Sequence, residues 1–137
     1  MMRNFQTLDK VTVDDDTGII YLTVEDDTDN NPLLAMRLEG SYLAISASYG
    51  PIEIALRPRL DEVTRVLERL RPVEGLQITR HVGTGNANLG VGLKSDGMLL
   101  LRPTIVGDAT GHLGFNLALT ANVRQALFAW LSVEAKS

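Results

Sequence analysis

Two stretches of this chain, Gly50 to Leu70 (GPIEIALRPRLDEVTRVLERL) and Gly111 to Leu131 (GHLGFNLALTANVRQALFAWL), carry the same apolar spacing at a constant offset of 61 positions. In each, apolar residues first alternate and then recur three and four apart, the signature of a half-buried strand running into an amphipathic helix. Under the offset, Ile52, Ile54 and Leu56 match Leu113, Phe115 and Leu117, while Val66, Leu67 and Leu70 match Leu127, Phe128 and Leu131. Identity is retained at Gly50/Gly111, Leu56/Leu117 and Leu70/Leu131, so what repeats is a pattern of burial. The expected fold is therefore α+β: a duplicated antiparallel β-meander, each copy closed by an α-helix, with the helices packed on one side of a curved sheet. The two units span about 8–72 and 73–134 of a single domain, residues 1–137.

The remaining elements follow from turn chemistry. VTVDDDTGIIYLTV, from Val11 to Val24, reads as a hairpin around Asp-Thr-Gly, where glycine supplies a positive φ. Strands follow over Leu33 to Leu38, Tyr42 to Ala47 and Ile52 to Leu56, broken at Glu39-Gly40-Ser41 and Tyr49-Gly50-Pro51. Leu60, Val63, Val66, Leu67 and Leu70 form one helical stripe that Pro72 stops. In the second half LQITRHVG, LGVGL, MLLLR and LGFNLAL read as four strands, and Thr120 caps a last helix. That helix is apolar at Val123, Ala126, Leu127, Phe128, Trp130 and Leu131, an arc too broad for cover on one side. A second subunit is the expected cover for part of it, so Leu127, Phe128, Trp130 and Leu131 are the candidate self-association residues of a homodimer.

At 137 residues and 45% apolar content, the chain can bury a core without staples. It has no cysteine, which removes disulfides, thiolate metal sites and a thiol nucleophile and suits a reducing compartment. The opening MMRNFQTLDK has no apolar signal region, and no stretch approaches the roughly 18 to 20 apolar residues of a membrane span. A cytoplasmic protein with no membrane partner is the expectation. The net charge of −4 is uneven, because residues 1–31 hold eight acidic and two basic side chains and the rest nine acidic and eleven basic. The later part can therefore meet an anionic partner, although the acidic balance disfavours non-specific nucleic-acid binding.

Chemistry-bearing motifs are sparse. Asp27, Asp29 and Asn31 begin a calcium-loop spacing, but Pro32 stands where the sharp-turn glycine belongs and no glutamate closes the loop. Gly83-Thr84-Gly85-Asn86-Ala87-Asn88 follows a strand but precedes the alternating LGVGL rather than a helix, so it reads as a hairpin loop, not a phosphate loop. The two histidines, His81 and His112, lack partners at metal-ligand spacing, and no nucleophile elbow occurs. We expect no enzyme, no metal and no cofactor. Arginine is the remaining signal: Arg57, Arg80 and Arg102, with Tyr42, Tyr49 and Tyr21, form a candidate surface for single-stranded nucleic acid, whose bases stack on rings while guanidinium groups meet phosphates.

Two units of meander and helix, ending in LGFNLALTANVRQALFAWL, resemble the Whirly-type single-stranded-DNA-binding transcriptional regulators. The resemblance implies a curved antiparallel sheet with helices on one side. The lysine-glycine-lysine strand motif of those plant proteins has no counterpart here, so no DNA-contacting residue is carried over. NLGVGLKSDGMLLLRP is similar to the late hairpin of the dimeric secretion chaperones, acidic proteins that hold a partner chain. The leading expectation is a non-catalytic binding or adaptor protein acting through protein–protein contact. The alternative is a Whirly-like binder of single-stranded nucleic acid.

Overall fold

The computed structural model describes residues 5–25, 32–107 and 111–133. The chain runs through β1 (Gln6–Leu8) and crosses within one residue, Asp9, into β2 (Lys10–Val13) of a different sheet. Asp9 is tied at both ends of that step. Its N–H donates to the Thr23 carbonyl at 3.0 Å, and its carboxylate accepts from the Glu25 N–H at 2.7 Å. β2, β3 (Ile20–Thr23), β4 (Leu33–Glu39), β5 (Tyr42–Tyr49) and β6 (Ile52–Leu56) pair antiparallel in chain order. The expected hairpin forms: Asp14 accepts from the Asp16 N–H at 2.9 Å, and Gly18 takes the positive φ of 75° that closes the turn. Strand alternation then sends Leu34, Met36, Leu43, Ile45, Ala47, Ile54 and Leu56 to one buried face.

After Pro58 the chain forms α1 (Leu60–Glu68), which buries Val63 and Leu67 against β5 and a later strand that contains Val82. The second sheet holds β1, β7 (Pro72–Val73), β8 (Arg80–Gly83), β9 (Ala87–Lys94), β10 (Leu99–Val106), β11 (His112–Gly114) and β12 (Leu117–Leu119). β9 and β10 are its centre. β12 and β11 share one edge of β10, β8 and β7 share one edge of β9, and the β1–β12 and β7–β9 pairs are parallel. LGFNLAL, expected as one strand, is split into β11 and β12, yet the register against β10 is unbroken from Val106↔His112 to Leu99↔Leu119. Proline explains the gap: Pro103 accepts from the Phe115 N–H at 3.1 Å but has no N–H to return. In the turn between β9 and β10 the exposed Asp96 carboxyl is held below its usual range, first by the Met98 N–H and then by Lys94.

LQITRHVG, expected as a strand from Leu76, is a strand only from Arg80 to Gly83. The preceding segment crosses the outer face of β9, where Gly90 and Gly92 leave room for it. A Cβ at Gly90 would lie 2.7 Å from Ile78 Cγ2, and one at Gly92 would meet the Gln77 carbonyl oxygen. Leu100, which pairs with Gly92 and faces outward with it, is therefore buried, as is Ala118 beside it. Leu99 and Leu101 face the main core.

α2 (Ala121–Leu131) starts at Thr120, whose hydroxyl accepts from the Val123 N–H at 3.3 Å, a cap worth about 1 kcal/mol. The helix lies against β12 of one sheet and β2 and β3 of the other. Of the apolar arc, Leu127, Phe128 and Leu131 are buried by the chain's own two sheets, and Trp130 packs partly against the same core. The physical reason is that the strands divide into two sheets rather than one curved sheet, so a helix set between them is covered on two sides. Neither sheet closes into a barrel. One contiguous apolar cluster draws on both sheets and both helices. Among the described residues no helix is long and apolar enough to cross a membrane.

Candidate binding surfaces

The outer face of the five-stranded sheet is built from residues that alternate with the core. Cross-strand pairing sets Thr12, Tyr21, Ala35, Ser46 and Ala55 in one row, flanked by rows that contain Leu33, Ser48 and Glu53 on one side and Arg37 and Ala44 on the other. Strands favour branched and aromatic residues, so alanine and serine at the centre of three adjacent strands leave a depression. It is a shallow trough of about 340 Å³ over Ala35, Ala44, Ser46 and Ala55, bordered by Ile19, Arg37 and Arg57. Arg57 stacks on Tyr42, with 4.6 Å from guanidinium carbon to ring centre, and pairs with Glu39 at 3.0 Å. Arg37 meets the same carboxylate at 3.4 Å. All three charged groups are solvent-facing, so the pairs orient the side chains and stabilise the fold little.

A second concavity, about 310 Å³, lies between the β6–α1 connection and the β8–β9 hairpin, lined by Arg57, Arg59, Glu62, Gly83, Thr84 and Asn88 among others. Here the glycine-rich segment is the hairpin loop its sequence implies. The Thr84 N–H donates to the Ala87 carbonyl at 3.0 Å, and the Thr84 hydroxyl accepts from the Ala87 N–H at 3.0 Å. Gly83 has φ +111°, and a Cβ there would lie 2.6 Å from the Ala87 carbonyl oxygen. Glu62 reaches the Gly83 N–H at 3.4 Å, so α1 leans on the loop. Two arginines and one glutamate line this cleft, and each arginine is paired with a carboxylate outside it, Arg57 with Glu39 at 3.0 Å and Arg59 with Asp61 at 3.5 Å.

The outer face of the seven-stranded sheet has a covered half, under Gln77 and Ile78, and an open polar half. In the open half Arg102, Thr104, His112, Gly114 and Asn116 enclose about 120 Å³. Arg102 Nε donates to Asn116 Oδ1 at 2.6 Å, and its guanidinium carbon lies 5.9 Å from the centre of the Phe5 ring. His81 leans over Gly90, its Cδ2 and Nε2 each 3.4 Å from where a Cβ would stand. Thus both histidines lie on this outer face, His112 at the open pocket and His81 beside Ile78 over Gly90.

The candidate nucleic-acid residues are dispersed. Arg57 and Tyr42 meet on the five-stranded sheet. Tyr49, an odd number of residues along β5 from Tyr42, leaves the opposite face. Arg80 pairs with the inward-facing Val91, whereas Arg102 pairs with Gly90, so those two arginines leave opposite faces of the seven-stranded sheet. The trough and the small polar pocket were not singled out in the sequence. The trough had a legible signal, Ala44, Ser46 and Ser48 at alternate positions of one strand; the pocket had none, because Arg102 and Asn116 meet only through strand pairing. Asp27, Asp29 and Asn31 of the calcium-like spacing lie outside the described residues, and among the described residues no group of three acidic or histidine side chains is placed to hold a metal ion. Comparison of the chain with protein-family models, with curated proteins and with solved structures finds no match.

Proposed function

We propose that this chain is a non-catalytic protein–protein interaction module, and that its docking surface is the outer face of the five-stranded sheet, with a second copy of the chain as occupant. The observation that carries the reading is the small-residue trough over Ala35, Ala44, Ser46 and Ala55, which lets an opposing sheet approach closely. Charge supports a self-complementary fit. Along β6 the outward residues run Glu53, Ala55, Arg57, so two copies stacked with β6 antiparallel about the central row set Glu53 of each against Arg57 of the other. The expected result is a concentration-dependent dimer in sedimentation velocity that Ala55→Arg, which puts bulk and like charge at the centre, converts to monomer while circular dichroism is unchanged. A monomeric wild type at tens of micromolar, or a variant that still dimerises, overturns the reading.

The same reading includes an internal duplication. Its support is that β6 leads into α1 as β11 and β12 lead into α2, with Ile54 and Leu56 inward in one unit and Phe115 and Leu117 at the offset positions in the other. A second function, Whirly-like binding of single-stranded nucleic acid, draws on one observation, the stack of Arg57 on Tyr42. Arg80 and Arg102 do not extend that stack into a track, and for that reason it ranks behind docking.

A further inference from the structure

We propose that the open edge of β6 is a second docking surface, which pairs edge to edge and antiparallel with β6 of another copy of the chain. β6 pairs with β5 alone. Its register is unbroken from Tyr49↔Ile52 to Ile45↔Leu56, and two residues further on the Leu43 N–H donates to the Pro58 carbonyl at 2.9 Å, which marks the hydrogen-bonded rungs of the ladder. Such rungs alternate in an antiparallel pair, so Ile52, Ile54 and Leu56 turn their backbone groups to β5, while Glu53, Ala55 and Arg57 turn N–H and C=O outward. None of those outward groups has a partner among the described residues. Natural edges are commonly blunted by lysine, proline or a bulge, and β2, at the other side of this sheet, carries Lys10. The segment from Ile52 to Leu56 has none of these devices.

Side chains select the register and the occupant. Set antiparallel about a two-fold at Ala55, the two β6 strands place Glu53 of each copy beside Arg57 of the other, and Ile52 beside Pro58. Glu53 is exposed and has no ion pair among the described residues, whereas Arg57 is held in place by Tyr42 and Glu39. Ile52 has the parity of the buried Ile54 and Leu56 but is 45% exposed, because it stands where the sheet ends. Across the two-fold it meets the cleft at Pro58, whose lining is apolar at Leu56, Val82 and Leu89. An exposed apolar side chain, an apolar cleft, a lone carboxylate and open backbone groups thus satisfy one another in a single arrangement. The edge does not depend on the face stack. That two-fold lies parallel to the sheet and this one normal to it, so the two interfaces together close at four copies.

The test reads hydrogen exchange of the Glu53, Ala55 and Arg57 amides by NMR, together with sedimentation velocity, on the full chain at tens of micromolar and at millimolar concentration. We expect these amides to exchange at least tenfold more slowly in the concentrated sample, where wild type sediments as a tetramer. Ile52→Asp sets a carboxylate against the apolar lining and lies on the opposite face from the trough, so it should leave a face-stacked dimer in which the amides stay fast. Ala35→Arg fills the trough from β4, away from β6, and should leave an edge-paired dimer in which they are slow, with circular dichroism confirming that both variants fold. Ala55 stands at both interfaces, so Ala55→Arg leaves monomer. An Ala35→Arg variant that assembles as wild type with slow amides upholds the edge and removes the face stack alone. Amides that exchange fast in assembled wild type overturn the proposal, as does an Ile52→Asp variant that assembles as wild type. Amides that slow only when an alternating valine–threonine peptide is added overturn it in favour of a foreign strand.

Discussion

Phe128→Ala is expected to lower the free energy of unfolding by about 4 kcal/mol, and by the same amount at any protein concentration. Phe128 is only 6% exposed and belongs to the cluster that joins both sheets to both helices. Arg124 lies over its ring with its guanidinium carbon 5.4 Å from the centre, and the same Arg124 donates through Nε to the Gly97 carbonyl at 2.7 Å. Truncation therefore opens a cavity between the sheets and loosens the contact that ties α2 to the β9–β10 turn. Urea unfolding at two concentrations a hundredfold apart is the measurement. A side chain at an interface between copies would behave differently, since its loss would shift the midpoint mainly where wild type is associated. A ΔΔG that vanishes on dilution would return Phe128 to the self-association role its sequence pattern suggested.

Gly92→Ala should cost about 3 kcal/mol, while Gly90→Ala should cost nearer 1 kcal/mol, although both add a single methyl to neighbouring positions of one strand. The difference lies in what each methyl meets. At Gly92 it meets the Gln77 backbone carbonyl oxygen, which moves only if the whole crossing segment lifts. At Gly90 the nearest atom is the tip of the Ile78 side chain, 2.7 Å away, which a rotamer change displaces. Lifting the segment also exposes Leu100, fully buried beneath it. Chemical denaturation of the two variants side by side checks the ranking, and equal costs would mean that the segment does not bear on β9.

The elements legible in the sequence were those set by local rules. The hairpin around Asp14 to Gly18, strands β4 to β6, α1 and the Thr120 cap all arise from alternation, helical spacing, turn residues and capping, each confined to a few adjacent positions. Strand ends that depend on a distant partner were misread. Leu76 to Thr79 has strand-like composition, yet it crosses β9 because two glycines elsewhere make space there. Phe115 and Asn116 lie between β11 and β12 because Pro103, on the neighbouring strand, lacks a donor. β1 went unread because Gln6 to Leu8 becomes a strand only by parallel pairing with β12, more than a hundred residues away.

The candidate sites divide in the same way. Arginine, tyrosine and histidine could be named from the sequence, but whether two of them share a surface is a question of parity and register. Tyr42 and Arg57 meet across β5 and β6, whereas Arg80 and Arg102 leave opposite faces of one sheet. By itself the sequence determined the kinds of element, their order and the faces they bury, because periodicity and turn chemistry act over a few residues. The tertiary structure alone decided that the strands split into two sheets, that α2 is covered on both sides within one chain, and that Arg102 meets Asn116 beside a glycine. Those outcomes depend on pairing between residues far apart in the chain, where a one-residue shift in register moves every side chain to the other face.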